Sequence, residues 1–242
     1  MFFPDPLYGS LLLANGLLAL VVAIFVLLRD FSYLLNRLTG MAFIGFSLYL
    51  LNEGIIYFFQ IEDVAIANVL RKLSIVGVML GAISIFLAGV AVKYGPDYFK
   101  SRSRLFVTFF IITGLDAVLA LITESVDFDT IGGSKYLVFK GDILSVSFSH
   151  LYPIILIVIG LWLFFNVYSD VKKTADTILA RKILLLDAGV GIVVLGAIWM
   201  ALIRMLFEGQ SIFPIFYLPG HVLYFVGAVL NIFAFRSRTT SE

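Results

Sequence analysis

The chain has 242 residues, of which 61% are hydrophobic and only 14% are charged, and its formal net charge is +1. Soluble domains carry about 25% charged residues, so this composition, with a mean hydropathy of +1.06, predicts one integral membrane domain over residues 1–242. The near-neutral charge excludes nucleic acid as a partner. The absence of cysteine excludes disulfides, thiolate metal sites and a cysteine nucleophile.

Seven apolar segments follow one another along the chain, and each is close to the ~20 residues that a membrane helix needs. They cover roughly residues 9–28, 40–60, 70–93, 104–124, 144–168, 182–206 and 212–235. The N-terminal MFFPDPLYGS lacks the basic stretch of a signal peptide, so the first segment is expected to remain as a helix. The predicted fold is therefore an all-α bundle of seven transmembrane helices.

Basic residues are distributed unevenly between the two predicted faces. Of the 17 Lys and Arg residues, 12 lie in the first, third and fifth connections and the C-terminal tail. The other face has five: Arg71, Lys72, Lys135, Lys140 and Arg204. Since basic residues collect on the cytoplasmic side, we expect a multi-pass protein of the cell membrane with its N-terminus outside and its C-terminus inside. The lipid bilayer is then its first partner.

The second segment carries an ionisable residue, Glu53, beside Asn52. Tyr49, Glu53 and Tyr57 are spaced four residues apart, so they share one face of a helix. A carboxylate at this depth is costly and normally faces the bundle interior. We therefore expect Glu53 to point inward and to find a partner there.

The third segment contains Gly77 and Gly81 in a GxxxG pattern. Small residues at this spacing let two helix backbones approach closely. The pattern predicts close packing within the bundle, and a homodimer is the alternative that uses the same surface.

Asp116 lies near the middle of the fourth segment, and the longest connection follows it. Residues 126–130 and 135–139 flank a Gly132-Gly133 pair, and glycines accommodate the positive φ angles of tight hairpin turns. The sequence predicts a short external β-hairpin at 126–139, with an unstructured loop as the alternative.

The remaining polar residues of the later segments lie towards the same outer face. His150 begins the fifth segment, Arg204 is near the outer end of the sixth, and Tyr217 and His221 share a face of the seventh. Polar residues in membrane helices usually face a cavity or one another, which predicts an outward-facing pocket for a small ligand. The predicted ligand-binding residues are Glu53, Asp116, His150, Arg204, His221, Asn52, Tyr57 and Tyr217.

A structural ion pair and several other functions are alternatives to this ligand pocket. Glu53 or Asp116 paired with Arg204 or a histidine would only hold helices together. A retinal protein needs a lysine in its seventh helix, and residues 212–235 contain none. With only two histidines and no HExxH or GxSxG motif, we expect no cofactor, no bound metal and no enzymatic activity. A small-solute or proton-coupled transporter, using Glu53 and Asp116, stays open, and a metal-dependent hydrolase is the weaker alternative.

A set of local motifs spans almost the whole chain. The motifs are Asn15-Gly-Leu-Leu-Ala19, Leu35-Asn36-Arg37-Leu38, Phe139-Lys-Gly141-Asp-Ile-Leu144, Phe213-Pro214 and Pro219-Gly220. In these features the chain resembles the N-terminal seven-transmembrane sensor region of prokaryotic histidine kinases. The resemblance implies a sensor that passes a conformational change to a cytoplasmic output. Only RSRTTSE follows Phe235, without a kinase domain, so we expect a separated sensor module or one that signals through a cytoplasmic partner protein.

Overall fold

A computed structural model describes residues 2–3, 6–131, 134–140, 147–173, 177–207 and 213–236, with side chains at 6–127, 148–173, 180–199 and 218–235. The α-helices are α1 (Pro6–Arg29), α2 (Leu34–Phe58), α3 (Val64–Tyr94), α4 (Asp97–Ser101), α5 (Ser103–Thr123), α6 (Tyr152–Lys173), α7 (Thr177–Phe207) and α8 (Phe213–Arg236). Seven of them, all except the short α4, are long and apolar enough to cross a membrane. The predicted class, a multi-pass helical membrane protein, is therefore confirmed.

The beginning of α3 differs from the prediction in a way that matters for the site. The segment was predicted to start at residue 70, but the helix begins at Val64. The Asp63 carboxylate caps it by accepting hydrogen bonds from the backbone N–H groups of Ala65 at 2.8 Å and Ile66 at 3.1 Å. Arg71, which the sequence placed at the outer start of the third segment, therefore lies further inside the helix and is buried.

Glycines allow the closest contacts between helices. A Cβ added to Gly77 of α3 would lie 2.6 Å from the Gly45 carbonyl oxygen of α2, and one added to Gly45 would lie 2.5 Å from the backbone of Gly81. No side chain fits at such distances. The prediction that the GxxxG pattern packs within the bundle is confirmed. The same type of contact joins α3 to α6 through Gly89 and Gly160.

The helices form a bundle in which neighbours along the chain are mostly neighbours in space. Helices α1, α2 and α3 pack in sequence, α3 also packs against α6, and α8 packs against both α7 and α1. Helix α5 is the least buried of the spanning helices. The bundle interior therefore lies between the α1–α2–α3–α6 group and the α7–α8 pair.

A small β-sheet lies at one end of this bundle. It comprises β1 (Phe2–Phe3), β2 (Ser125–Ile131) and β3 (Ser134–Lys140), in the order β1-β3-β2. Strands β2 and β3 are antiparallel, whereas β1 and β3 are parallel. The free edge of β2 is attached to α3, because the Asn68 amide donates to the Val126 carbonyl at 2.8 Å and accepts from the Val126 N–H at 2.9 Å. We call this end of the bundle the sheet end.

A single π-helical turn (Ser147–Leu151) leads into α6. Pro153 follows two residues later and has no N–H, so it cannot donate an α-helical hydrogen bond to the Ser149 carbonyl. A local change of helical pitch is a common response, and π-turns are frequent at functional sites. The turn brings Ser149 and His150 to the bundle interior at the sheet end.

Candidate functional site

A buried arginine lies between two glutamates at the sheet end of the bundle. Arg71 Nη1 of α3 donates to Glu53 Oε1 of α2 at 2.8 Å, and Arg71 Nε donates to Glu124 Oε1 at 2.6 Å. Arg71 Nη2 also forms an ion pair with the same Glu124 oxygen. The three residues are each about 5% exposed or less. Helix ends bring them together, since Glu53 is near the end of α2, Arg71 near the start of α3 and Glu124 directly after α5.

His150 extends this network from the π-turn. Its Nε2 lies 3.4 Å from Arg71 Nη2, and its Nδ1 lies 2.6 Å from Ser149 Oγ. A guanidinium only donates hydrogen bonds. A hydrogen bond to Arg71 therefore requires Nε2 to accept, which puts the imidazole proton on Nδ1, where it donates to Ser149 Oγ. This tautomer is the neutral one and adds no further positive charge beside Arg71.

Among the described residues, the network contains one more carboxylate than cation. Arg71 supplies one positive charge, whereas Glu53 and Glu124 supply two negative charges when both are ionised. The second oxygen of Glu124 is buried and has no hydrogen-bond partner among the described residues. Buried charges are stable only when they are paired and hydrogen-bonded. The positive charge of Arg71 is therefore balanced, whereas the negative charge of the two carboxylates is balanced only in part.

An internal cavity of about 200 Å³ adjoins the network. Side chains from six helices, α1, α2, α3, α6, α7 and α8, line it together with the π-turn. Glu53, Arg71 and His150 are its ionisable lining residues, and Tyr8, Phe46, Tyr49 and Tyr224 line it together with a larger number of mainly aliphatic side chains. The combination of an apolar wall with a few convergent polar groups is typical of a small-molecule site.

Some of the cavity-lining side chains are also exposed on the bundle surface. They belong to the π-turn, the start of α6 and the end of α7, and they are His150, Ile154, Ala197 and Ile198. Ile154 and Ile198 are each over a third exposed, whereas Glu53 on the opposite side is almost completely buried. The described residues therefore place the cavity opening between α6 and α7.

The structure brings two of the sequence-predicted site residues into the cavity wall. Glu53 and His150 both line it and both contact Arg71. The partner of Glu53 differs from the one predicted, because the alternative ion pair named Arg204 or a histidine, whereas the guanidinium belongs to Arg71. The side chains of Arg204 and Tyr217 lie outside the described residues.

Two other predicted residues form a layer behind the cavity. His221 Nδ1 lies 3.0 Å from the Asn15 amide nitrogen, which donates to it. The His221 ring packs edge-on against Tyr8, with 5.4 Å between ring centroids, and Tyr57 packs on Tyr8 at 5.0 Å. Tyr8 itself lines the cavity. His221 and Tyr57 therefore support the aromatic wall without forming its surface.

Asn52 and Asp116 lie away from the cavity lining. The Asn52 amide donates to the Leu48 carbonyl in its own helix at 2.6 Å. Asp116 is buried on α5, and no residue in the described part of the chain hydrogen-bonds its Oδ2. On the same helix, one turn earlier, the Thr113 hydroxyl hydrogen-bonds the Tyr152 hydroxyl at 2.7 Å. Asp116 is thus separate from the Glu53 network, contrary to the expectation of one cluster.

Arg71 and Glu124 are the functional candidates that sequence reasoning missed. The sequence analysis placed Arg71 at the outer start of the third segment and Glu124 at the end of the fourth, because charged residues at the ends of apolar segments usually lie in the interface. A signal for Arg71 was present, since Asp63 before an apolar run is a helix N-cap signature that moves the start of α3 upstream. No comparable pattern marks Glu124, whose burial depends on how the chain after α5 folds against α3.

Comparison with known proteins adds no relative to this description. No protein-family model matches the chain, and a search of curated proteins finds no significant similarity.

Among the described residues, no group of three or more His, Asp or Glu side chains is arranged to hold a metal ion. The polar centre in that part of the chain is an arginine–carboxylate network beside an aromatic cavity.

Proposed function

We propose that the chain is a non-enzymatic membrane sensor or receptor module with an outward-facing pocket. The observation that carries this proposal is a cavity that six of the seven spanning helices line together. A ligand that fills it contacts the α1–α2–α3–α6 group and the α7–α8 pair at once. Binding therefore favours those arrangements of the two groups that fit the ligand, and a ligand shifts an equilibrium only through such differential contacts.

In the proposed orientation, the sheet end and the adjoining cavity lie on the outer side of the membrane-spanning bundle. This orientation rests on the excess of Lys and Arg at the opposite end, where basic residues favour the cytoplasmic side. In this orientation the N-terminus and the β2–β3 hairpin are external, and α8 ends at the cytoplasmic face of the cell membrane. The resemblance to the sensor regions of prokaryotic histidine kinases supports the same direction of signalling.

The proposed output is a cytoplasmic partner protein that responds to the inner ends of the helices. Close glycine contacts hold α2 against α3 and α3 against α6, so that group moves as a unit more easily than it deforms. Helices α7 and α8 form the second unit, joined by similar glycine contacts such as Gly189 with Gly227. A ligand between the two units changes their relative position, which the partner reads at the inner face.

The test uses the absence of native cysteine, which allows spin labels at chosen positions. Cysteines at Arg37 and Arg181, both exposed near the inner ends of α2 and α7, report the distance between the two units. Soluble metabolites are first screened for binding by thermal stability. A ligand that binds is expected to shift the distance distribution in the wild type and in the control variant Asp187→Asn. At a ligand concentration near the wild-type Kd, the shift should be several-fold smaller in Glu53→Gln.

The control is matched because Asp187→Asn makes the same carboxylate-to-amide change on α7, outside the cavity lining. The same ligand is then offered to sealed vesicles that contain the protein. Accumulation of the ligand inside the vesicles would identify a transporter and refute the sensor. A bound ligand that leaves the label distance unchanged would also contradict the proposal.

A further inference from the structure

The charges around the cavity restrict the kind of ligand it takes. Within the proposed function, in which this cavity is the ligand site, we infer that the ligand is a small organic ammonium cation with a compact apolar body. Charge balance, aromatic lining, cavity size and the position of the opening each support this class of ligand.

Arg71 cannot act as an anion receptor in this arrangement. Its Nη1 is bound to Glu53, its Nε is bound to Glu124, and its Nη2 lies against Glu124 and His150. An anionic ligand would have to displace one of these buried carboxylates, which would leave that carboxylate unpaired at a cost of several kcal/mol. The guanidinium is therefore committed to the protein's own carboxylates.

Glu53, unlike Arg71, is placed to interact with a ligand in the cavity. It lines the cavity, is 4% exposed, and forms its hydrogen bond to Arg71 through Oε1. No described residue hydrogen-bonds its second oxygen. The excess negative charge among the described residues thus borders the cavity at Glu53, where an ammonium group would restore charge balance and donate a charge-assisted hydrogen bond.

The aromatic lining suits the same ligand. Tyr8, Phe46, Tyr49 and Tyr224 line the same cavity as Glu53. Ring faces attract organic cations, with interaction energies of roughly 0.5–2 kcal/mol that rise as the site is desolvated. A neutral ligand would gain the apolar contacts but not this electrostatic attraction.

Size and access favour a compact apolar body. A cavity of about 150 Å³ accepts benzene, so the present volume of about 200 Å³ suits one ring with a short ammonium side chain. Exposed apolar side chains directly follow two of the exposed lining residues in the chain, Leu151 after His150 and Ile155 after Ile154. Because a membrane covers such surfaces, the ligand reaches the cavity through the hydrocarbon region or its border, which an apolar body permits.

The experiment measures binding of three probes of similar shape and different charge to the full chain in lipid nanodiscs. The probes are 2-phenylethylammonium, 2-phenylethanol and phenylacetate, and heats of binding to empty nanodiscs are subtracted. We expect 2-phenylethylammonium to bind saturably and about tenfold or more tighter than the alcohol. Phenylacetate should show no saturable binding.

Two variants locate the interaction. Glu53→Gln should weaken 2-phenylethylammonium by about tenfold and change 2-phenylethanol by less than about twofold, since only the cation uses the charge. Asp187→Asn should change neither probe. Ala197→Phe narrows the exposed opening without touching the charged network and should weaken both probes, which keeps the test informative even if Glu53→Gln does not fold.

The outcomes separate this inference from the proposed function. Equal affinity for the ammonium and the alcohol, or saturable binding of phenylacetate, would refute a cation site while leaving a sensor of another ligand class intact. Loss of 2-phenylethylammonium binding in Glu53→Gln without any ligand-induced change in label distance would support the cation site and refute the sensor. Unchanged ammonium binding in both Glu53→Gln and Ala197→Phe would refute the cavity as its site.

Discussion

Replacing Arg71 by methionine tests the central network most directly. The change removes the only cation that contacts the Glu53 and Glu124 carboxylates among the described residues, yet it retains a long apolar stem of similar length. Both glutamates are at most about 5% exposed, so solvent cannot replace the lost partner. Removing one member of a buried ion pair destabilises a protein by roughly 3–5 kcal/mol, and we expect Arg71→Met to lower the free energy of unfolding by that amount.

The measurement is reversible unfolding of purified protein in mixed micelles of a nonionic detergent and sodium dodecyl sulfate, followed by circular dichroism. Lys93→Met is the matched control, because Lys93 pairs with Asp170 at 2.8 Å while the two side chains are 28% and 61% exposed. A surface pair of this kind contributes about 0–1 kcal/mol. Arg71→Met should therefore lower the free energy of unfolding several-fold more than Lys93→Met does.

A compensating variant checks the physical cause. Adding Glu53→Gln and Glu124→Gln to Arg71→Met removes the unpaired charges together. We expect this triple variant to recover more than half of the lost free energy of unfolding, because replacing a whole buried ion network by neutral groups costs less than removing one of its members. An Arg71→Met effect no larger than that of Lys93→Met would refute the argument. So would a triple variant less stable than Arg71→Met alone.

Two further predictions concern the elements that position the site. Gly77→Ala should lower the free energy of unfolding by about 1–3 kcal/mol in the same assay, because its Cβ would lie 2.6 Å from the Gly45 carbonyl oxygen. Gly114→Ala is the control, because its Cβ would meet nothing within 4 Å, and it should raise the free energy of unfolding by up to about 1 kcal/mol. Equal changes in the two variants would contradict close packing at Gly77. Asn68→Ala removes both hydrogen bonds to the Val126 backbone, so we expect faster amide hydrogen exchange along β2 and a loss of about 1–3 kcal/mol. Unchanged exchange in β2 would show that this attachment does not hold the sheet.

Much of the fold was accessible from the chain alone. The length and apolarity of the segments predicted the spanning helices because the thickness of the hydrocarbon core sets a narrow range of helix lengths. The GxxxG pattern at Gly77 and Gly81 predicted a close helix contact because only small residues permit one. Segment length and GxxxG spacing are both properties of the local sequence, so these predictions did not require knowing which helices are neighbours.

The candidate site was predictable in part. Placing Glu53 and His150 in the outer half of the bundle followed from counting residues along each span, and the two do meet, through Arg71. Asp116 has a similar depth, yet it lies outside the cavity lining. Depth is a property of position along one helix, whereas contact also requires the right rotation and the right neighbour. For helices that are apolar almost all round, the hydrophobic pattern gives little information about rotation.

The sequence by itself determined that a carboxylate at Glu53 had to face the bundle interior, because an ionised group cannot remain in contact with hydrocarbon. Only the tertiary structure decided that its partner is Arg71, that Glu124 joins them, and that the three adjoin an aromatic cavity. The reason is that the end of α2, the start of α3 and the residue after α5 are brought together by packing between helices. No pattern within any one of these segments encodes that contact.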